Sequence, residues 1–261
     1  MRLSGFAQPG SDPGPPPAGT TRLRLLVTTR AVLARPGPAG EAGYVTGLSV
    51  LPGVPPWWWL VLSGLDAFRP ECGFDPYDLV TVDVTRAGAG PTRAGAESTE
   101  ARWPVPGTVR REHHLKQWAL RRAWLDGHVE ESMCRLDRPD RQPAPALVRV
   151  RDVAELLITP ASGGIPGPTG GHPRPRFRGA YRWRCAGRTC PGHRHDIVDW
   201  EFTALQRRVV GLPDDRLRAA LVNTFHGRLC APDREVAFYV GPAGPGRPGY
   251  AVTGVYWPPK P

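Results

Sequence analysis

The sequence predicts an α+β fold, a mixed sheet of short strands with about three helices and a zinc knuckle. Three observations predict it. The first third holds short apolar, β-branched runs bounded by Gly and Pro, the middle holds one stretch of helically spaced apolar residues, and residues 185–195 hold a tight cysteine–histidine cluster.

Residues 22–30 (RLRLLVTTR) partly alternate apolar and polar side chains and read as the first strand. Residues 44–50, 57–63 and 79–85 (LVTVDVT) are the next strand candidates, each set off by turn-forming residues. From 111 to 136 the period changes, with Leu115, Trp118, Leu125, Val129 and Leu136 at roughly helical spacing, so a long helix is expected despite Gly127. A strand is expected within 146–159 and a loop over 160–175, where Gly and Pro dominate. Residues 181–184 should be a strand leading into the cluster. Helices are expected over 196–209 and, after Pro213 with its paired acids, over 214–229. Residues 236–241 and 250–257 read as a closing hairpin, and no internal repeat is evident. The domain reading is a disordered tail over 1–20 and one α+β domain over 21–261, whose C-terminal part from about 176 binds metal.

No apolar run reaches the ~20 residues of a membrane helix, and residues 1–20 lack the apolar core of a secretory signal. The expected location is therefore the cytoplasm. Five cysteines, an odd number, argue for reduced or metal-bound thiols over a disulfide framework. The formal net charge of +10 suits a nucleic-acid binder. All but Lys116 and Lys260 of the 34 basic residues are arginine, which with 31 Gly and 32 Pro also resembles the codon bias of a GC-rich genome.

Cys185-x4-Cys190-x2-His193-x-His195 is the sharpest chemical signal, because thiolates and imidazoles suit Zn²⁺ and a short turn can present several to one ion. Cys185, Cys190 and His193 are the expected core of a structural site. His195 completes it most economically; His226 and Cys230, four apart on one helix face, are the alternative in place of both histidines. Cys72 and Cys134 stand isolated in sequence and are not assigned to the site.

Asp199-Trp200-Glu201 follows directly. Asp199 and Glu201 are weak catalytic candidates, which with His195 would make a metal-dependent hydrolase such as a nuclease, but carboxylates two apart on a helix diverge. Between Arg174 and Arg194 lies an acid-free run in which Arg182, Arg184, Arg188 and Arg194 could contact phosphate while Tyr181 or Trp183 stacks on a base. A strand with arginines outward and aromatics packed inward gives the same pattern. The Trp57-Trp58-Trp59 run reads as core packing in a strand.

Several pieces together resemble an uncharacterised bacterial protein family: 43–48 (GYVTGL), 57–65 (WWWLVLSGL), 74–80 (FDPYDLV), the cluster through Asp-Trp-Glu at 185–201, 238–241 (FYVG) and 254–259 (GVYWPP). Val45-Thr46 stands where that pattern has a Cys-Ala pair. The resemblance implies a bacterial accessory protein of mobile-element or defence context and no particular activity. The function expected overall is that of a zinc-stapled nucleic-acid-binding protein, with DNA or RNA as partner; the alternatives are the hydrolase and a noncatalytic protein-interaction module.

Overall fold

The structure is a computed structural model that describes residues 15–34, 41–53, 55–62, 73–86, 102–138, 140–161, 175–244 and 248–261. Cys72, residues 1–14 of the expected tail and most of the expected loop at 160–175 lie outside the described residues. Among the described residues, strands dominate, twelve against four α-helices, so the expected α+β class is corrected to a mostly-β architecture.

The strands form two small barrels built to one plan. In the first, β1 (Thr20–Ala34), β2 (Glu41–Ser49), β3 (Trp57–Leu62), β5 (Arg102–Pro104) and β4 (Asp78–Arg86) neighbour one another in that order, and β4 returns to β1. In the second, β8 (Ala146–Pro160), β9 (Phe177–Cys185), β10 (His193–Ile197), β12 (Tyr250–Tyr256) and β11 (Ala237–Pro242) repeat the order, and β11 returns to β8. Among the described residues, each ring of five strands has one parallel pair, β3 with β5 and β10 with β12. The repeat is one of topology, carried by unlike sequences, which is why no period shows in the residues.

Closure has the same cause twice. The first strand of each barrel has 15 residues, long enough to serve two neighbours. Thr20–Leu26 pair with β4 while Leu25–Ala34 pair with β2, the register shifting between Val27 and Thr29. On β8, Ala146–Arg149 pair with β11 and Val150–Pro160 with β9, with shifts after Val150 and Val153. Bulges of this kind bend a strand and sharpen its twist, as closing a small sheet requires.

The stretch expected as one long helix is broken into β6 (Arg110–His114), α1 (Trp118–Leu125), a single 3₁₀ turn, β7 (Val129–Glu130) and α2 (Met133–Leu136). Its apolar spacing is nevertheless meaningful. Leu115 and Leu125 are fully buried in a cluster that includes Leu26, Trp57, Leu147 and Tyr239, so this connector packs into the seam between the barrels. Likewise, the helix expected from 196 starts later, as α3 (Trp200–Arg208), because residues 193–197 extend the sheet. The helix expected at 214 is α4 (Asp214–Val222), continued by a π turn through Arg228. Among the described residues, no helix is long and apolar enough to cross a membrane.

The tryptophan run explains the seam. Trp58, Leu60 and Leu62 point into the first barrel's core. Trp57, Trp59 and Val61 point the other way and are also buried, Trp57 beside Tyr239 and Trp59 and Val61 beside Val198. The second barrel meets them through glycine: a methyl group at Gly241 would come within 2.6 Å of the Trp59 ring, and one at Gly254 within 2.6 Å of the Thr29 side chain. Thr29 also donates a hydrogen bond to Thr253 (3.1 Å), and the Val32 N–H donates to the Val198 carbonyl (2.8 Å).

Candidate functional site

Cys185 closes β9, Cys190 sits in the following turn and His193 opens β10, so three of the expected ligands meet at one end of the second barrel. The fourth member of the cluster is Cys134, from α2 in the connector between the barrels. The His193 Nε2 lies 3.2 Å from the Cys190 sulfur and 3.4 Å from that of Cys134, and the Cys134 and Cys185 sulfurs are 3.9 Å apart. A tetrahedral ion with bonds of ~2.3 Å to sulfur and ~2.0 Å to nitrogen has ligand–ligand edges of roughly 3.5–3.8 Å. The donor set and spacing thus fit one metal ion. Cys185 and Cys190 are buried and all four cysteines among the described residues are free thiols.

Electrostatics point the same way. Burial pushes the Cys134 thiol up, and hydrogen bonding with Cys190 and Cys185 adds to this, bringing it to about 12. Burial also acts upward on Cys185, but hydrogen bonds from His193 and its other neighbours outweigh it and bring that thiol down to about 6. Thiols held this close cannot all ionise unless a cation offsets their mutual repulsion.

Cys134 thus stands where the sequence reading put His195, and the His226–Cys230 alternative, offered in place of both histidines, lies outside the cluster. His195 is buried two residues further along the same face of β10, and its Nδ1 accepts a hydrogen bond from the Trp183 indole (3.2 Å). Burial, and then the neighbouring His193, hold His195 down at about 4, so it stays neutral. It shares with His193 and exposed Asp137 a second grouping of donor atoms. The Cys230 sulfhydryl donates to the Phe225 carbonyl (3.4 Å), and the His226 Nε2 lies 3.4 Å from the Val153 carbonyl; neither joins the cluster. No local spacing could have singled out Cys134. Its one sequence signal is a lone cysteine just before the second barrel begins.

The arginine run resolves by strand alternation. On β9, Arg178, Arg182 and Arg184 are exposed while Tyr181 and Trp183 are buried. The Tyr181 hydroxyl donates to the Phe225 carbonyl (2.7 Å), and both rings pack on Phe238. These two aromatics therefore fill the barrel, and the base-stacking role expected of them is corrected to a core role. Arg182 stands directly opposite Arg194 of β10, with Glu155 3.3 Å from the one and Asp196 3.7 Å from the other. Arg188 is exposed in the turn that carries Cys190. Beside Arg194, a cleft lined by Val198, Pro248 and Tyr250 runs toward the β11–β12 turn.

The two carboxylates considered for catalysis are engaged by the fold. Asp199 caps α3, accepting a hydrogen bond from the Glu201 N–H (2.8 Å), and burial followed by the Glu201 charge raises it to about 8. Glu201 accepts a hydrogen bond from Arg30 of the first barrel (2.5 Å), which also bonds Asp75 (2.6 Å). Both positions thus belong to the seam.

Residues 172–261 match the model of a family described as a domain of unknown function (DUF8757), a span that includes Cys185, Cys190 and His193 but not Cys134. No curated protein matches the chain. Among solved structures, the chain is similar to one described as "Structure and Conformational Change of a Replication Protein A Heterotrimer Bound to ssDNA", at 8% identity and a TM-score of 0.38. That match covers 99% of this chain and 52% of the other, so this chain spans about half the length of the protein it resembles.

Proposed function

We propose that this chain is a zinc-stapled nucleic-acid-binding protein whose binding face is the outer surface of β9 and β10. The observation that carries the reading is the direct cross-strand opposition of Arg182 and Arg194, flanked by exposed Arg178, Arg184 and Arg188. Like charges placed opposite one another on a sheet destabilise it, and the nearby acids are exposed and offset little. A phosphate backbone laid along these strands would neutralise them and release counterions. The architecture supports the same place. Small five-stranded Greek-key barrels of the OB type bind oligonucleotides across their second and third strands, which are β9 and β10 in the second barrel. In the first barrel the equivalent face is closed by the seam.

Zinc is the ion the donors favour, since three thiolates and one imidazole in a closed tetrahedral set make a structural site with no open position. Cys134, Cys185, Cys190 and His193 would hold it, and its contribution would be to stability. Elemental analysis should find about one zinc per chain, lost in a Cys185→Ser, Cys190→Ser double variant. Fluorescence polarisation with labelled single- and double-stranded DNA and RNA at two salt concentrations tests the binding. Affinity should fall steeply with salt, and Arg182→Glu with Arg194→Glu should flatten the log–log slope by about 2. No binding to any of these at low salt overturns the proposal.

A further inference from the structure

We infer that the metal centre is a positioning device for the basic face: by tying the β9–β10 turn to the connector between the barrels, it holds Arg188 beside the strand arginines that the ladders already place, completing one face for a phosphate backbone. This rests on the nucleic-acid reading above.

The ligands and the arginines interleave along the chain. Arg184 precedes Cys185, Arg188 lies between Cys185 and Cys190, and Arg194 follows His193. Strand pairing between β9 and β10 begins only at the His193–Trp183 pair, so the stretch beyond it receives no register from that ladder. The backbone of the turn is held by few bonds: Cys190 N–H to the Gly187 carbonyl (3.2 Å), Gly187 N–H to the Glu131 carbonyl (3.0 Å) and Ala186 N–H to the Arg149 carbonyl (3.2 Å). Two of these run to the connector and to β8, the neighbourhood from which Cys134 comes. A metal bound by all four residues therefore closes a contact across 51 positions of sequence, between Cys134 and Cys185, beside the turn's hydrogen bonds to Glu131 and Arg149. A cross-link over so long a loop removes much disorder from the open form. Without it, each barrel keeps its own core and ladder, which still hold Arg182, Arg184 and Arg194, whereas the turn and its Arg188 lose their anchor.

The test uses the full chain as purified with its zinc, a chelated sample shown to be metal-free, and the variants Cys134→Ser and Cys134→His. Binding of a labelled single-stranded oligonucleotide is followed at two salt concentrations, alongside amide hydrogen exchange. Chelation and Cys134→Ser should weaken binding up to about tenfold and reduce the salt slope by about 1, while zinc addition to the chelated protein and Cys134→His, which retains a ligand, should restore both. Exchange protection should fall over 183–194 and persist in β1 to β3. Metal-free protein that binds with unchanged affinity and slope overturns the inference, as does equal loss of protection in both barrels. Should the zinc-loaded protein bind no oligonucleotide, the functional reading fails separately, and exchange alone decides the clamp: protection lost over 183–194 upholds it, and protection unchanged there removes it.

Discussion

The two barrels share a strand order and differ in what their second and third strands carry on the outer surface. On β3 the outward positions are Trp57, Trp59 and Val61, and the second barrel covers them; on β9 they are Arg178, Arg182 and Arg184, which face solvent. A strand buried on both faces reads as a continuous apolar run, and a strand buried on one face alternates. WWWLVL and FRGAYRWRC are those two patterns in one chain. The same scaffold thus serves once as a packing surface and once as an open face, and the side chains at alternate positions decide which.

The comparison is broken most severely by emptying the covered face. Trp59→Ala should cost about 3–5 kcal/mol, read from denaturant unfolding, because it leaves a ring-sized cavity between the barrels. A loss under about 1 kcal/mol would show that the seam is loosely packed and the two faces less different than their burial indicates. From the other side, Gly241→Ala should destabilise by about 1–3 kcal/mol through overlap with the same ring, and pairing it with Trp59→Ala should relieve that cost in a double-mutant cycle.

A pH-dependent effect sharpens the seam's electrostatics. Asp199 is raised from 3.8 to about 8, so over that interval the folded chain holds a proton that the unfolded chain has released. The sign follows: stability from this group is full at low pH and falls as pH rises from about 4 to about 8, by at most about 1.4 kcal/mol per unit. Asp199→Asn keeps the helix cap and should flatten the unfolding profile across that window. A variant whose profile follows the parent's would place the pH dependence elsewhere.

The smallest change in stability is expected on the open face. Arg182→Glu should stay within about 0.5 kcal/mol of the parent in unfolding, since the residue is exposed and its like-charged neighbour is relieved. The same variant should bind oligonucleotide more weakly with a salt slope lower by about 1. A large stability loss instead would mean that Arg182 serves the fold.

Much of this architecture can be read in the residues. The strands at 22–30, 44–50, 57–63 and 79–85, the closing hairpin and the helix after Pro213 follow from local pattern, which reports local geometry well. The long helix at 111–136 does not survive, because its apolar spacing arises from several short elements facing one seam, and periodicity cannot tell a single helix from that arrangement. Neither can it reveal that two unlike sequences close the same barrel.

For the site, composition and spacing determined that Cys185, Cys190 and His193 belong together, since a short turn brings them close whatever the rest of the chain does. Alternation determined that arginines and aromatics lie on opposite sides of β9. Which side faces the interior, and hence that Tyr181 and Trp183 fill a core, was decided only when the sheet curled shut. Tertiary structure alone also chose Cys134 over His195 as the cluster's fourth member: two residues further along the same inward face of β10, His195 lies deeper in the barrel, while the path of the connector brings a cysteine 51 residues from Cys185 to the rim. Proximity of that kind depends on how two barrels dock, and no pattern within a few residues of Cys134 contains it.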